Sequence, residues 1–297
     1  MSLLSIETLD RQKMERLFTR TDEMASAQAC NSNTLSGLII AMLFFQASTR
    51  TRLSFESAAL RLGAKCIGFA EPGSVRAGPG WKESVADTAR MLNSYVNASV
   101  IRHYERGAAA EYARHSVVPV VNAGDGCGVG AEHPTQAILD LYTIRHAFGE
   151  IDNRKVLLVG DLRQRTPHSL LKSLMKFSNV QVFLLQAEGY ELSVAEFVQL
   201  RERGLSVEVI EDYAAVIGDV DAIYLAGMED PLEPSPPKHV LNEDVIARMR
   251  RDTIIMHPLP RGNELPPAID QHVQAAYFRQ ASFGVPTRMA ILESLFQ

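Results

Sequence analysis

Phe44-Phe45-Gln46-Ala47-Ser48-Thr49-Arg50-Thr51-Arg52-Leu53-Ser54-Phe55-Glu56 is the stretch of the chain whose residue types point most directly to chemistry. An apolar run, Gly37 to Phe45, ends in hydroxyls and arginines, and an amphipathic segment follows at once. That order predicts a strand, an anion-binding turn and a helix. The leading N–H groups of a helix lack intrahelical partners and sit at the positive end of its dipole. Ser48, Thr49 and Thr51 add hydroxyl donors, and Arg50 adds a planar fork suited to phosphate or carboxylate. The same residues also suit a plain N-cap beside a solvated arginine. The rest of the chain has to choose.

Four further polar clusters follow apolar runs: Arg102-His103, Gly124 to Gln136, Asp161 to His168, and His257 to Arg261. The runs read as strands at Leu38–Phe45, Lys65–Phe69, Ala98–Arg102 and Val117–Asn122. A second series covers Val156–Val159, Val180–Leu185, Val207–Ile210, Ala222–Leu225 and Thr253–Met256. Helical spacing appears between them. Met14, Leu17, Phe18 and Met24 outline one helix, and Phe55, Ala58, Ala59 and Leu62 another that Gly63 stops. Val85, Ala89 and Leu92 follow, then Ala108–His115, His133–Ala147, a helix reaching Phe177, one outlined by Val194, Phe197, Val198 and Arg201, and Pro286–Phe296. Glu71 to Gly80 and Pro231 to Pro237 are loops. Alternating strands and helices predict an α/β fold of two doubly wound parallel-sheet domains, joined by helices between them. Such sheets bind ligands at the carboxyl ends of their strands. Five endings rich in Arg, His and Thr describe a pocket for an anionic substrate.

At 297 residues two domains are the expectation, and a formal net charge of −5 with no dense basic run argues against a nucleic-acid partner. Cys30, Cys66 and Cys127 lack C-x-x-C spacing, which points to a reduced, cytoplasmic setting without structural zinc. Neither a signal peptide nor a membrane span is read. Gly124-Asp125-Gly126-Cys127-Gly128-Val129-Gly130 brings a dinucleotide loop to mind, but G-x-G-x-x-G is not matched and His133-Pro134 opens the next helix. A nucleotide-dependent oxidoreductase stays an alternative on that run alone.

In this order the clusters resemble the aspartate/ornithine carbamoyltransferase family along nearly the whole chain. The motifs are F-F-Q-A-S-T-R-T-R-L-S-F-E, K-E-S-V-A-D-T-A-R-M-L, G-D-G…H-P-T-Q-A-I-L-D-L-Y-T-I, H-P-L-P-R-G-N-E and R-M-A-I-L. H-P-L-P-R and D-L-Y-T-I look like the aspartate branch. The resemblance implies a carbamoyl phosphate-binding domain over 1–146, joined by the C-terminal helix at about 286–297, and an acceptor-binding domain over 147–285. It implies a homotrimer whose sites are completed by a neighbour's loop; no cofactor or metal is expected. Ser48, Thr49, Arg50 and Thr51 would hold the phosphate. Arg102, His133 and Gln136 would address the carbamoyl group, with the backbone of Leu259 and Pro260 on its other side. Arg50, Thr51, Arg102 and His133 would be the catalytic set, and Arg165 would bind the acceptor's carboxylate. His257 reads as a residue that shapes its loop.

Four departures fall around the acceptor. On the neighbour-supplied loop Trp81 stands at the family lysine, with Lys82 beside it. Ala77 stands near the family serine, with Ser74 as a possible substitute. Gly227 and Glu229 stand where the aspartate branch has arginine and glutamine. The G-D-G…H loop carries extra residues, and G-D-L-R-Q-R-T is one shorter. Losing an arginine and gaining a carboxylate predicts an acceptor other than aspartate, such as a small diamino acid. The alternatives are an ordinary aspartate carbamoyltransferase of pyrimidine biosynthesis, with Arg163 or Arg261 restoring the charge, and a non-catalytic assembly or regulatory homologue.

Overall fold

The structure is a computed structural model that describes residues 2–26, 32–70, 73, 75–77, 83–228 and 235–297. It divides into two compact units, 1–139 with 283–297, and 140–282.

In the first unit, β1 (Ile39–Phe44), β2 (Lys65–Phe69), β3 (Ala98–His103) and β4 (Val120–Asp125) form one sheet in the order β2-β1-β3-β4. Every pairing is parallel. β1 is central and buried almost throughout, as a continuous apolar run must be when both faces are covered. The helices are α1 (Arg11–Ala25), α2 (Thr49–Arg61), α3 (Val85–Leu92), α4 (Ala108–His115), the start of α5 (Pro134–Phe148), and α10 (Gly284–Ser294). Asp10 caps α1 by accepting the Lys13 N–H, and the helix buries Met14, Leu17, Phe18, Thr21 and Met24. α10 packs on both α1 and α2. Arg20 closes the α1–α10 contact with a two-pronged pair to Glu293 (2.5 and 2.8 Å). The Arg288 guanidinium, buried in the same unit, lies 5.2 Å from the centroid of the Phe55 ring on α2.

The second unit holds β5 (Lys155–Gly160), β6 (Gln181–Gln186), β7 (Ser206–Val209), β8 (Ala222–Gly227) and β9 (Ile254–Met256) in the order β7-β6-β5-β8-β9. All four pairings are again parallel. Its helices are the remainder of α5, α6 (Arg165–Leu174), α7 (Val194–Glu202), α8 (Glu243–Ala247) and α9 (Tyr277–Ser282). The fold is thus two parallel-sheet α/β units.

Several local expectations need correction. β4 starts later than Val117 and runs through Gly124-Asp125, because Leu3 pairs beside it and fixes Val120 and Asn122 through backbone bonds of 2.8 Å. α6 stops at Leu174, and Lys176 and Phe177 follow in tighter i→i+3 turns. α7 buries Leu200, while Val194 and Val198 of the predicted apolar face are exposed. α8 and α9 are too short for a periodic pattern to reveal. Pro237–His239 makes a 3-10 turn where prolines predicted no regular structure. Among the described residues, no helix is long and apolar enough to cross a membrane.

Phe55 anchors α2 in the first core and is fully buried. Phe55→Ala is expected to lower stability by about 3–5 kcal/mol, from lost transfer energy plus the cavity left behind. Chemical denaturation monitored by circular dichroism measures it.

Candidate active site

In the first unit the ends of β1, β3 and β4 lie side by side, so the register decides what meets. Phe44 pairs with Arg102, and the Phe45 N–H donates to the Arg102 carbonyl (2.9 Å). Three residues past Phe45 the chain reaches Ser48, the N-cap of α2. Ser48 has a cap's extended backbone (φ −161°, ψ 112°), yet its hydroxyl makes no capping bond. Ser84, Ser193 and Asn242 each accept an N–H at the start of their helices. A helix start with a hydroxyl that is not used as a cap, an exposed Arg50 and a buried Thr51 has the chemistry of an anion site.

Adjacent strand residues face opposite sides, so Arg102 and His103 have different roles. His103 is buried against the Phe45 and Tyr104 rings (centroids 4.7 and 4.3 Å). Its Nδ1 accepts the Glu105 N–H (2.9 Å), and burial lowers its pKa. It is a neutral core histidine. Arg102 donates to the Ala123 carbonyl and to His133 Nε2, both at 3.4 Å. A guanidinium can only donate, so Nε2 is the acceptor and the proton sits on Nδ1, facing Thr135 Oγ1 at 3.4 Å. The His133 carbonyl accepts the Gln136 and Ala137 N–H groups, which fixes His133 at the mouth of α5 with Gln136 one turn on. Ser48 to Thr51, Arg102, His133 and Gln136 therefore all sit at one end of the first sheet.

Gly126 in the glycine run has a packing cause, and its neighbours a conformational one. A Cβ on Gly126 would lie 2.6 Å from Arg106 Cβ, and Gly126, Gly128 and Gly130 all have left-handed backbones. The loop returns through a bridge between Asp125 and Glu132. The Glu132 carboxylate is held by Ser5 Oγ and the Ile6 N–H, both 2.8 Å.

In the second unit Gln164 caps the space between β5 and β8: its amide donates to the Ala226 and Gly227 carbonyls (3.2 and 3.1 Å). Arg165 follows as the first residue of α6, half-buried beside that junction. Gly227 ends β8 with φ +67°, and a Cβ there would lie 3.2 Å from Glu264 Oε1 and 3.5 Å from His257 Nε2. β9 then delivers His257 and the Leu259–Pro260 peptide, with Leu259 left-handed at φ 56° and the peptide bond cis. Neither arginine expected to replace the charge missing at 227 is uncommitted. Arg163 pairs with buried Asp161 (3.2 Å) and lies 3.9 Å above the Tyr190 ring. Arg261 is held by Asp270, which raises its pKa, and flanks Tyr277 and Phe278. Ser74, Trp81, Lys82 and Glu229 lie outside the described residues.

Residues 1–146 match the carbamoyl phosphate-binding domain of the aspartate/ornithine carbamoyltransferases, and 152–295 match their aspartate/ornithine-binding domain. The chain belongs to the aspartate/ornithine carbamoyltransferase family. It is a carbamoyltransferase by type. Similar proteins include the aspartate carbamoyltransferase catalytic subunits of Methanothermobacter thermautotrophicus (42% identical; 99% of this chain, 95% of the relative) and Thermoplasma acidophilum (39%; 98% and 96%). Among solved structures, aspartate transcarbamoylase from Trypanosoma cruzi with aspartate and phosphate gives a TM-score of 0.90 at 32% identity, covering 99% of this chain and 94% of that one. The catalytic subunit of the M. jannaschii enzyme gives 0.88 at 32%, covering 99% and 97%. These relatives are named for aspartate, against the acceptor expected from Gly227 and Glu229. Membership of this family also displaces the nucleotide-dependent alternative, and Arg106 packing accounts for Gly126 within that run.

Ser48→Ala is expected to change stability by less than about 0.5 kcal/mol, because no cap bond is lost, whereas Ser84→Ala costs about 1 kcal/mol. Inorganic phosphate should raise the melting temperature of Ser84→Ala as in the parent chain, and of Ser48→Ala less. Thermal melts with and without phosphate check both.

Proposed function

We propose that the chain transfers the carbamoyl group of carbamoyl phosphate to the amine of aspartate, releasing phosphate, as the cytoplasmic catalytic chain of pyrimidine biosynthesis. The observation that carries this is the collection of Ser48–Thr51, Arg102, His133 and Gln136 at one end of the first sheet, in a chain whose relatives are named for aspartate over almost their full length. Attack of the amine on the carbonyl carbon forms the C–N bond and builds charge on the carbonyl oxygen. Thr51 and Arg102 donate to that oxygen, worth a few kcal/mol per preorganised donor, and His133 acts beside them by holding the Arg102 guanidinium through Nε2. The C–O bond to phosphate then breaks, and Ser48, Thr49, Arg50, Thr51 and the N-terminus of α2 hold the departing anion. The phosphate accepts the amine proton, so no enzyme nucleophile is needed. The Leu259–Pro260 backbone lines the carbamoyl group and Arg165 takes the acceptor's α-carboxylate. With Gly227 lacking a side chain, the second carboxylate falls to Lys82 on a loop from a neighbour in a homotrimer.

Steady-state turnover of carbamoyl phosphate with a panel of amino acids tests the acceptor. Aspartate should be the best substrate, and Lys82→Ala should raise its KM about tenfold or more, as loss of a charged contact does. Preference for ornithine or a shorter diamino acid would overturn it.

A further inference from the structure

The loop from His257 to Glu264 is held at both ends by one carboxylate. Glu264 is buried, and its Oε1 accepts from His257 Nε2 (2.9 Å) and from the Gly262 N–H (2.6 Å). Its Oε2 accepts from Ser235 Oγ (3.3 Å). Burial pushes the Glu264 pKa up, but the bonds from His257 and Gly262 outweigh it and leave the carboxyl below its ordinary value, hence ionised at neutral pH. His257 is equally buried. Its Nδ1 accepts the Leu259 N–H at 2.7 Å, so the ring proton is on Nε2 and points at Glu264. The His257 backbone N–H is fixed in turn by Gln280 Oε1 (2.9 Å), whose amide donates to buried Asp140 (2.7 Å).

Leu259 has a left-handed backbone, a conformation that is unfavourable for a β-carbon-bearing residue and needs outside support. The bond to His257 Nδ1 supplies that support only in one tautomer, and Glu264 selects that tautomer. Gly227 leaves the carboxylate room, since a Cβ there would press on Oε1 at 3.2 Å.

We propose that Glu264 is a positioning residue for carbamoyl transfer, acting through His257 to hold the Leu259–Pro260 backbone at the reacting group. This rests on the proposed function, in which that backbone lines the carbamoyl group. Glu264 touches no substrate; it sets where a peptide that does so lies. A misplacement of about 1 Å at such a point costs roughly a hundredfold in rate.

The test compares Glu264→Ala, Glu264→Gln, His257→Asn and the double variant Glu264→Ala/His257→Asn in steady-state turnover, alongside thermal melts. Glutamine keeps an oxygen for His257 and Gly262 and turns its amide to Ser235 Oγ. Glu264→Gln should therefore stay within about threefold of the parent, while Glu264→Ala loses roughly 10- to 100-fold in kcat with the carbamoyl phosphate KM little changed. Asparagine at 257 can accept the Leu259 N–H directly, as an Asx turn does. In that background the further loss from Glu264→Ala should shrink to about threefold or less, the non-additivity of residues acting in series. Equal losses from Glu264→Ala in both backgrounds, or a loss that only follows the melting temperature, would overturn the proposal. A parent chain without carbamoyl transfer would instead overturn the proposed function, and this inference with it.

Discussion

A helix that begins where a buried parallel strand ends leaves N–H groups with no intrahelical partner, and an anion is the natural group to satisfy them. At α2 the problem is acute, because the N-cap serine does not use its side chain for the purpose. Much else in the first unit places chemistry around that helix start. β1 brings Ser48 to the sheet end, and β3 brings Arg102 alongside by register. β4 and its glycine loop return His133 to within hydrogen-bonding reach of Arg102. α10, through Arg288, packs on the Phe55 face of α2 and steadies it from behind.

The second unit solves a different problem, the placement of a backbone rather than a charge. Gln164 ties the start of α6 to the end of β8, and Glu264 ties His257 to Gly262. Arg165 follows the first tie in sequence, and the Leu259–Pro260 peptide lies in the loop closed by the second. Arg163 and Arg261 are not spare cations, being already paired with Asp161 and Asp270. Gly227 sits against an ionised carboxylate whose charge is stabilised by hydrogen bonds from His257 and Gly262.

The strand–helix alternation was plain from apolar runs, because buried parallel strands carry almost no polar residues. The ends of β1 and β3 were also plain, since Ser48–Thr51 and Arg102 interrupt those runs abruptly, whereas β4 runs on to Asp125 past its expected end. What stayed hidden depends on tertiary contacts. Nothing in the type or spacing of Glu264 or Gln280 marks them, because their partners are brought near only by the turn after β9 and the packing of α9. The apolar positions of α7 suggested the wrong buried face, since only Leu200 finds the core. Arg102-His103 looked like one cluster, and the pleat of β3 separates it into a residue that reaches His133 and a core residue. Glu229 promised a change of acceptor, but curated relatives along the full chain are named for aspartate.

The phosphate half of the site can be measured without knowing the acceptor. Calorimetric titration of carbamoyl phosphate into the parent chain and into Arg50→Ala isolates it. Binding to the parent that weakens roughly 10- to 100-fold in the variant, the loss expected for a charged hydrogen-bond donor, is the predicted result. Equal binding by both proteins, or none by the parent, would contradict the assignment of the α2 turn.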